Sequence, residues 1–231
     1  MIHKHQYVAN DFSNDDTVWK YFSLPAFLAL LEDRMLYFTK ADSFADPNEF
    51  PVTEKDASAF HMSFEKYKES VGQIKARSYI NCWRLSDYES FGMWNAYSDA
   101  ATGVAIKTNV KSLFASFGVM QPDIPTITAG KVLYIDSLKE MTQKPSGPLN
   151  FFYIVFAKTK PYQSESELRL CFEDTKKAFG LKENIGVSVD LSTLIKEIYV
   201  GSSSKPYVQD LMKKILKRYD IDAQVKKSNV M

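Results

Sequence analysis

Cysteine and histidine, which supply most zinc ligands and reactive thiols, are scarce in this sequence. Among 231 residues there are two cysteines and three histidines, and neither Cys-x-x-Cys nor His-x-x-x-His spacing occurs. The sequence therefore argues against a zinc site, and histidines confined to weakly patterned segments argue against a histidine-dependent triad. Cys82 and Cys171 lie in apolar, strand-like runs, so we expect buried free thiols in a reducing compartment.

Several signature motifs and long apolar runs are missing as well. The sequence has no phosphate-cradling glycine loop, no dinucleotide fingerprint and no Gly-x-Ser-x-Gly motif. No run approaches the roughly 18 apolar residues of a transmembrane helix, and the N-terminal Met-Ile-His-Lys-His-Gln lacks the apolar core of a signal peptide. We therefore expect a cytoplasmic protein with no membrane partner.

Neither sign of charge dominates the chain. Lysine and arginine number 29 against 28 acidic residues, a net charge of +1, which argues against general electrostatic binding of nucleic acid. The hydrophobic content of 45% and charged content of 25% are typical of globular proteins. The aromatic content of 14% is high and predicts either a well-filled core or an aromatic-lined cleft for flat ligands. Composition leaves the oligomeric state open.

The order of predicted elements indicates the fold class. The length favours a single domain over residues 1–231, with residues 1–16 loosely ordered and a helical insertion at 52–77. Strand and helix patterns are mixed without strict alternation. We therefore expect an α+β protein with a single mixed, mostly antiparallel twisted sheet and flanking helices.

The strongest candidate chemistry lies in the segment Glu-x-Glu-x-Arg. Glu165 and Glu167 are two apart on a predicted strand that starts at Glu165, so both carboxylates and Arg169 should share one face. Close carboxylates split their pKa values, which suits catalysis. An exposed face with a Glu–Arg ion pair is the alternative. Lys158 and Lys160, just upstream, are either contacts for a phosphate or partners of a helix dipole.

A second acidic element and four further side chains complete the candidate site. Asp46 and Glu49 occupy an Asp-Pro-x-Glu turn, which is either a capped turn or a pair of carboxylates lining a site. The other candidates for ligand binding are two anion anchors and two stacking rings, namely Arg84, Arg169, Tyr21 and Trp94.

Four motifs in this order resemble a large uncharacterised bacterial domain-of-unknown-function family. They are Phe-x-Asp-Pro-x-Glu at 44–49, Cys-Trp at 82–83, Glu-Ser-x-x-Met-Trp-x-x-Tyr at 89–97 and Glu-x-Glu-x-Arg at 165–169. The resemblance covers nearly the whole chain and implies no established activity. Phe50 departs from the pattern, because the family usually carries glycine or another small residue after the acidic turn.

The chain also has a weaker similarity to ADP-ribosyltransferases. Those enzymes open with strand, helix and strand, and place a glutamate late in the chain at the start of a strand. The resemblance implies that Glu167 holds a ribose hydroxyl and supports an oxocarbenium-like transition state, with Glu165 as the first acid and Tyr162 in the substrate loop. The first strand carries Lys20 and Tyr21 where those enzymes usually have arginine or histidine.

Three hypotheses about function follow. The first is an ADP-ribosyltransferase-like enzyme, or a toxin or phage-defence effector, with NAD as its candidate cofactor and a small nucleotide-like ligand. The second is a metal-dependent nuclease or phosphodiesterase, which needs the two acidic elements to meet in space so that magnesium can bind their oxygens. Its ligands would be Asp46, Glu49, Glu165 and Glu167. The third is a non-catalytic binding or regulatory module. The sequence does not decide whether the protein is an enzyme.

Overall fold

The computed structural model describes residues 2–4, 11–44, 49–50, 52–98, 101–118, 124–136 and 151–230. The strands are β1 Ile2–Lys4, β2 Thr17–Phe22, β3 Met35–Lys40, β4 Ser78–Leu85, β5 Val104–Asn109, β6 Ile127–Lys131, β7 Leu133–Tyr134, β8 Ala157–Lys158, β9 Glu167–Glu173, β10 Asn184–Ser188, β11 Glu197–Val200 and β12 Gln224–Lys227. The helices are α1 Leu24–Asp33, α2 Glu54–Ala59, α3 Phe64–Lys75, α4 Phe91–Tyr97, α5 Val110–Ser116, α6 Leu191–Leu194 and α7 Pro206–Arg218. Short 3₁₀ helices span Ala41–Ser43, Phe151–Phe156 and Lys160–Glu165.

The prediction of an α+β fold with a mixed sheet and flanking helices is confirmed. Within the described ranges, ten strands form a mixed sheet that does not close, and β7 and β8 form a separate parallel pair. The chain divides into two compact units. The first comprises residues 1–12, 37–82 and 122–186, and the second comprises residues 13–36, 83–121 and 187–231. That the whole chain is one domain stays a prediction.

In the first unit, strands and helices enclose an apolar core. β6 pairs antiparallel with β9, placing Thr128 opposite Cys171, and β1 pairs parallel with β6. The helix α3 buries Tyr67, Val71 and Ile74, whose spacing places them on one side of the helix. These side chains pack in one cluster with residues of the 3₁₀ helix Phe151–Phe156. The same face of β9 contributes Cys171, so this core lies beside the acidic residues of that strand.

In the second unit, antiparallel pairs and one parallel pair order the strands. β2 pairs antiparallel with β5, and β5 pairs antiparallel with β11. β11 and β12 are parallel and are connected through α7, which makes a strand–helix–strand unit. An aromatic cluster contains Trp19, Tyr21 and Trp94 from β2 and α4.

Three predicted boundaries are wrong. Ser86 and Glu89, three residues apart, predict a capping box that opens a helix through Asp99. Instead α4 begins at Phe91, and Ser90 provides its cap by accepting a hydrogen bond from Met93 N. The apolar run from residue 150 predicts an α-helix, but a 3₁₀ helix ends at Phe156 and β8 follows. The predicted strand at Glu165 starts two residues later, at Glu167.

The structure also bears on the expectations about the cysteines and about membrane-spanning helices. Both cysteines are free thiols; Cys171 is buried, whereas Cys82 is half-buried. Burial raises the pKa of the Cys171 thiol. In the ranges that the structure covers, none of the helices has the length and apolar content needed to cross a bilayer.

Candidate active site

The start of β9 carries a buried group of charged side chains, all within the first unit. We call it the carboxylate cluster and define it as Glu49, Lys158, Glu165, Glu167 and Arg169. Glu167 and Arg169 point to the same face of β9 because side chains alternate along a strand. Lys158 ends β8, and Glu49 belongs to the predicted acidic turn. The fold therefore gathers residues that are separated by more than a hundred positions in the chain.

Arg169 is the centre of the cluster and is completely buried. Its Nε donates to Glu167 Oε2 at 2.9 Å, and its Nη1 donates to the carbonyl oxygen of Val155 at 2.8 Å. Its Nη2 donates to Glu49 Oε1 and to Glu167 Oε1. A buried guanidinium needs such partners because desolvation of an unpaired charge is costly. Arg169 therefore joins β9 to Glu49.

Lys158 is the second buried cation, and its ammonium contacts three carboxylates. Its Nζ lies 2.9 Å from Glu49 Oε2, 2.6 Å from Glu165 Oε2 and 3.2 Å from Glu167 Oε1. Burial lowers the pKa of Lys158, but attraction to Glu167 and the other two carboxylates outweighs that effect and raises it. Lys158 is therefore a permanent positive charge between the acids.

Glu165 enters the cluster from outside the strand. It ends the 3₁₀ helix Lys160–Glu165, and the next residue, Ser166, has left-handed backbone angles (φ 49°, ψ 54°). This bend, rather than the pleat of β9, brings Glu165 beside Glu167. The side chain of Glu165 is 21% exposed, against 7% for Glu167. Glu165 is thus the carboxylate of the cluster that solvent or a ligand can best reach.

The charges of the carboxylate cluster do not cancel. Three carboxylates face two permanent cations, which leaves one negative charge in excess. Burial of an excess charge favours uptake of a proton. Burial and the hydrogen bond with Glu167 raise the pKa of Glu165 to about 7. Burial also acts to raise the pKa of Glu167, but Arg169, above all, holds it well below the usual range. The two carboxyl groups therefore differ in protonation at neutral pH.

Aromatic side chains surround these charges. The hydroxyl of Tyr134 accepts a hydrogen bond from the backbone N–H of Glu167 at 2.9 Å, and burial raises the pKa of that phenol. The ring of Tyr162 lies 4.5 Å from Lys158 Nζ, and the ring of Phe50 lies 5.8 Å from Arg169 Cζ. Phe50 thus covers the guanidinium through a cation–π contact. The half-buried Tyr162 ring stands next to the most exposed acid.

The remaining predicted site residues have other surroundings. Asp46 lies outside the described residues. Tyr21, Arg84 and Trp94 belong to the second unit, and all three are buried. Tyr21 and Trp94 meet edge to face with centroids 5.2 Å apart, and the Tyr21 hydroxyl accepts a hydrogen bond from Ser90 N. Their predicted role in ligand binding stays a prediction, as does that of Arg84.

Sequence reasoning missed the place of two contributors. Tyr134 lies in the short strand β7, and its contact with Glu167 spans 33 positions, so no local pattern predicts it. The sequence predicts Lys158 as a phosphate contact or a partner of a helix dipole, because nothing local places an ammonium between three carboxylates. Over the residues that are described, no group of three or more His, Cys, Asp or Glu side chains is arranged to hold a metal ion.

Comparison with known proteins agrees with the predicted family resemblance. Residues 93–170 match a family described as "Protein of unknown function (DUF2971)". This match contains the Met-Trp-x-x-Tyr and Glu-x-Glu-x-Arg elements, so the prediction of an uncharacterised domain family is confirmed over that segment. No curated protein sequence matches the chain.

Two solved structures of DarT from Thermus sp. 2.9 are similar in layout. The complex with NAD+ has 9% sequence identity and a TM-score of 0.38, over 94% of this chain and 97% of that one. The complex with carba-NAD+ has 8% identity and a TM-score of 0.38, over 95% and 98% of the two chains.

The pKa difference within the carboxyl pair leads to a testable pH dependence. Glu165 should titrate near pH 7 in the folded protein, whereas an unperturbed glutamate titrates at about 4.3. Because its pKa is raised in the folded state, its stabilising contribution is complete below pH about 4.3 and is lost as the pH rises through about 7. Carboxyl carbon chemical shifts, measured by NMR against pH, would show this titration.

The signal can be assigned with Glu165→Gln, which should remove the resonance that titrates near neutrality. Besides burial, the groups that set this titration are Glu167, which raises the pKa, and Lys158, which lowers it. If every glutamate of the native protein titrates below pH 5, the proton that offsets the excess negative charge is not held at Glu165.

Proposed function

We propose that this protein is an NAD-using enzyme of the ADP-ribosyltransferase type, with Glu165 and Glu167 as its carboxyl pair. One observation carries the proposal. Two glutamates share a hydrogen-bonded cluster that drives their pKa values apart, one to about 7 and the other well below the usual range. Such separation is typical of carboxyl pairs in which each member has its own catalytic role.

The chemistry follows from the charge of the transition state. Cleavage of the bond between nicotinamide and ribose leaves an oxocarbenium-like ribose, while the bonding electrons leave with nicotinamide. An ionised carboxylate that hydrogen-bonds a ribose hydroxyl stabilises this positive charge. The acceptor nucleophile then attacks the ribose and gives up its proton. A cluster with one excess negative charge provides an electrostatic field that stabilises the positive charge on the ribose.

We assign the contact with the ligand to Glu165. Its carboxylate is the more exposed of the two, and Tyr162 offers a ring beside it for a flat ligand. Glu167 is held by Arg169 and Lys158, so its part is to position Lys158 and set the field around Glu165. The sequence resemblance assigns Glu167 the ribose contact, and both assignments keep the acidic pair at the site.

The two DarT structures hold NAD+ and carba-NAD+, ligands of the proposed class. The case for this chain depends on its own carboxyl pair and on the Glu-x-Glu element. We extend the proposal to a cytoplasmic toxin or phage-defence effector, with a cellular macromolecule as acceptor.

A second candidate is a non-catalytic binding module. The observation in its favour is that Glu49, Lys158, Glu167 and Arg169 are all buried and paired with one another, as they would be in a purely structural ion cluster. Metal-dependent hydrolysis has less support, because the ammonium of Lys158 occupies the space between the three carboxylates.

An activity assay separates these candidates. The purified protein, with and without cell extract, should release nicotinamide from NAD, and Glu165→Gln should lower the rate by about 100-fold or more, as expected for loss of a charge that stabilises the transition state. Glu69→Gln, an exposed acid on α3 in the same unit, should leave the rate unchanged. Nicotinamide release is measured by chromatography.

The pH profile adds a second readout. Because Glu165 must be ionised, the rate should rise as the pH passes through about 7. A wild-type protein without turnover in any extract, or a Glu165→Gln variant as active as wild type, would favour the binding module.

A further inference from the structure

A hollow of about 480 Å³ lies at the carboxyl end of α7. Three residues of the helix line it, Lys213, Leu216 and Lys217, together with residues 220–223 of the turn that follows. All of them belong to the second unit, so the hollow is formed within one unit. Its volume lies in the range of roughly 300–1,000 Å³ that is typical of small-molecule sites. We call it the α7 hollow.

The turn after α7 is held in place by backbone hydrogen bonds. The carbonyl oxygen of Leu216 accepts from Tyr219 N and from Ile221 N, both at 3.0 Å. Asp220 N donates to the carbonyl oxygen of Lys217 at 3.3 Å. Asp220 has a left-handed backbone conformation (φ 58°), at a position after a helix where glycine is the usual residue. Leu216 and Ile221 are buried, so the α7 hollow has an apolar floor that this turn fixes.

Exposed side chains of both charges line the α7 hollow. Lys213 and Lys217 are four residues apart on α7 and therefore lie on the same side of the helix, whereas Asp220 and Asp222 belong to the turn. Lys213 pairs with Asp210 at 3.3 Å, a residue outside the hollow. Among the residues that the structure describes, Lys217, Asp220 and Asp222 take part in no ion pair. The two cations and the two anions thus share one hollow without pairing across it.

This arrangement suits a ligand that carries both charges itself. Two carboxylates beside the carboxyl end of α7, which is the negative end of the helix dipole, favour an ammonium group there. The two lysines, one helical turn apart, favour a carboxylate. Between the two pairs, Ala223 and the methylene stems of the lysines offer apolar surface to the body of the ligand.

We propose that the α7 hollow binds a small zwitterion with an apolar body, such as a dipeptide. Lys213 and Lys217 contact its carboxylate, and Asp220 and Asp222 contact its ammonium group. The hollow belongs to the second unit, whereas the carboxylate cluster belongs to the first, and the proposal does not depend on the use of NAD.

Titration of the full chain with leucyl-leucine, followed by amide NMR shifts, tests this site. Wild-type protein should show saturable shifts for residues 213–223. Two analogues each lack one charge: leucyl-leucine amide has no carboxylate, and N-acetyl-leucyl-leucine has no ammonium group. Each should bind about three- to tenfold more weakly than leucyl-leucine, because each loses the ion pairs of one end, and exposed ion pairs contribute modestly.

Variants show which residues hold which end of the ligand. Lys213→Gln combined with Lys217→Gln should weaken binding of leucyl-leucine by about three- to tenfold but leave binding of leucyl-leucine amide unchanged. Asp220→Asn combined with Asp222→Asn should weaken leucyl-leucine and leave N-acetyl-leucyl-leucine unchanged. Lys111→Gln, an exposed lysine on α5 in the same unit, is the control and should bind like wild type.

All of these substitutions are at exposed positions, and amide shifts outside residues 213–223 report whether the fold is kept. Asparagine at position 220 also tolerates the left-handed conformation of the turn. Lys217→Gln alone should weaken leucyl-leucine in the same direction, which covers failure of a double variant to fold. Absence of saturable shifts at the hollow, or analogues that bind wild type as tightly as leucyl-leucine, overturns the proposal.

Discussion

Replacing Arg169 with methionine should lower the free energy of unfolding by about 3–5 kcal/mol. The guanidinium is completely buried and donates to Glu49, Glu167 and the carbonyl oxygen of Val155. Methionine fills a similar length but leaves two buried carboxylates with only Lys158 as a counter-charge. Removing one partner of a buried ion pair destabilises a protein far more than replacing both partners with well-packed apolar residues. Urea denaturation of both proteins would measure the difference.

The chain offers a matched control for this change. Arg77 donates to Glu173 at 3.0 Å in the same unit, but their side chains are 43% and 26% exposed. Arg77→Met should therefore cost less than about 1 kcal/mol. The deficit of the Arg169 variant should also shrink at acid pH, where the stranded carboxylates can bind protons. Equal losses for the two arginine variants would mean that the cluster is not a buried, mutually dependent unit.

Replacing Trp94 with alanine should lower the free energy of unfolding by about 3–5 kcal/mol. The indole is completely buried, meets the ring of Tyr21 edge to face, and donates from Nε1 to Glu89 at 3.0 Å. Alanine leaves a large cavity in the aromatic cluster and leaves one acceptor position of the Glu89 carboxylate empty. Thermal or urea denaturation, followed by circular dichroism, would give the size of the loss.

Phe91 on the same helix is the control, since its side chain is 60% exposed. Phe91→Ala should change stability by no more than about 0.5 kcal/mol. Trp94→Phe should fall between the two alanine variants, because it keeps most of the buried ring but loses the indole donor. If Trp94→Ala unfolds like wild type and instead weakens binding of a ligand, the ring is a stacking surface as the sequence suggested.

The Glu-x-Glu-x-Arg element shows which side-chain positions can be predicted from alternation along a strand and which cannot. Alternation along a strand predicts that Glu167 and Arg169 share a face, and their side chains are hydrogen-bonded to each other. The same rule also predicts that Glu165 lies beside Glu167. Glu165 does lie there, but strand alternation is not the cause, because the strand begins only at Glu167. Glu165 arrives there through the left-handed angles of Ser166, a conformation that a serine seldom adopts and that no propensity predicts.

In the Glu-Ser-x-x-Met-Trp-x-x-Tyr element, too, the sequence predicts some features correctly and others wrongly. Its sequence indicates a capped helix whose aromatic face packs on the sheet. The helix α4 is capped and buries Trp94, but Phe91 and Tyr97 are exposed, so the packed aromatic face is wrong for two of its three rings. The roles within the motif differ from the expected ones: Ser90 is the cap and Glu89 accepts from the indole of Trp94. Two serines of equal capping propensity occur here, and the Ser86 hydroxyl instead donates to Tyr88 O and accepts from Tyr88 N.

The sequence alone determined the α+β class, the strand that carries the acidic motif, and the resemblance to a family of unknown function. These follow from periodicity, capping residues and motif order, which act over short stretches of chain. Only the tertiary structure decided that Glu49 and Lys158 join Arg169 in one buried cluster, and that this cluster carries an excess negative charge. Burial, charge balance and pKa depend on groups that are remote in sequence, so they exist only once the strands and turns have packed together.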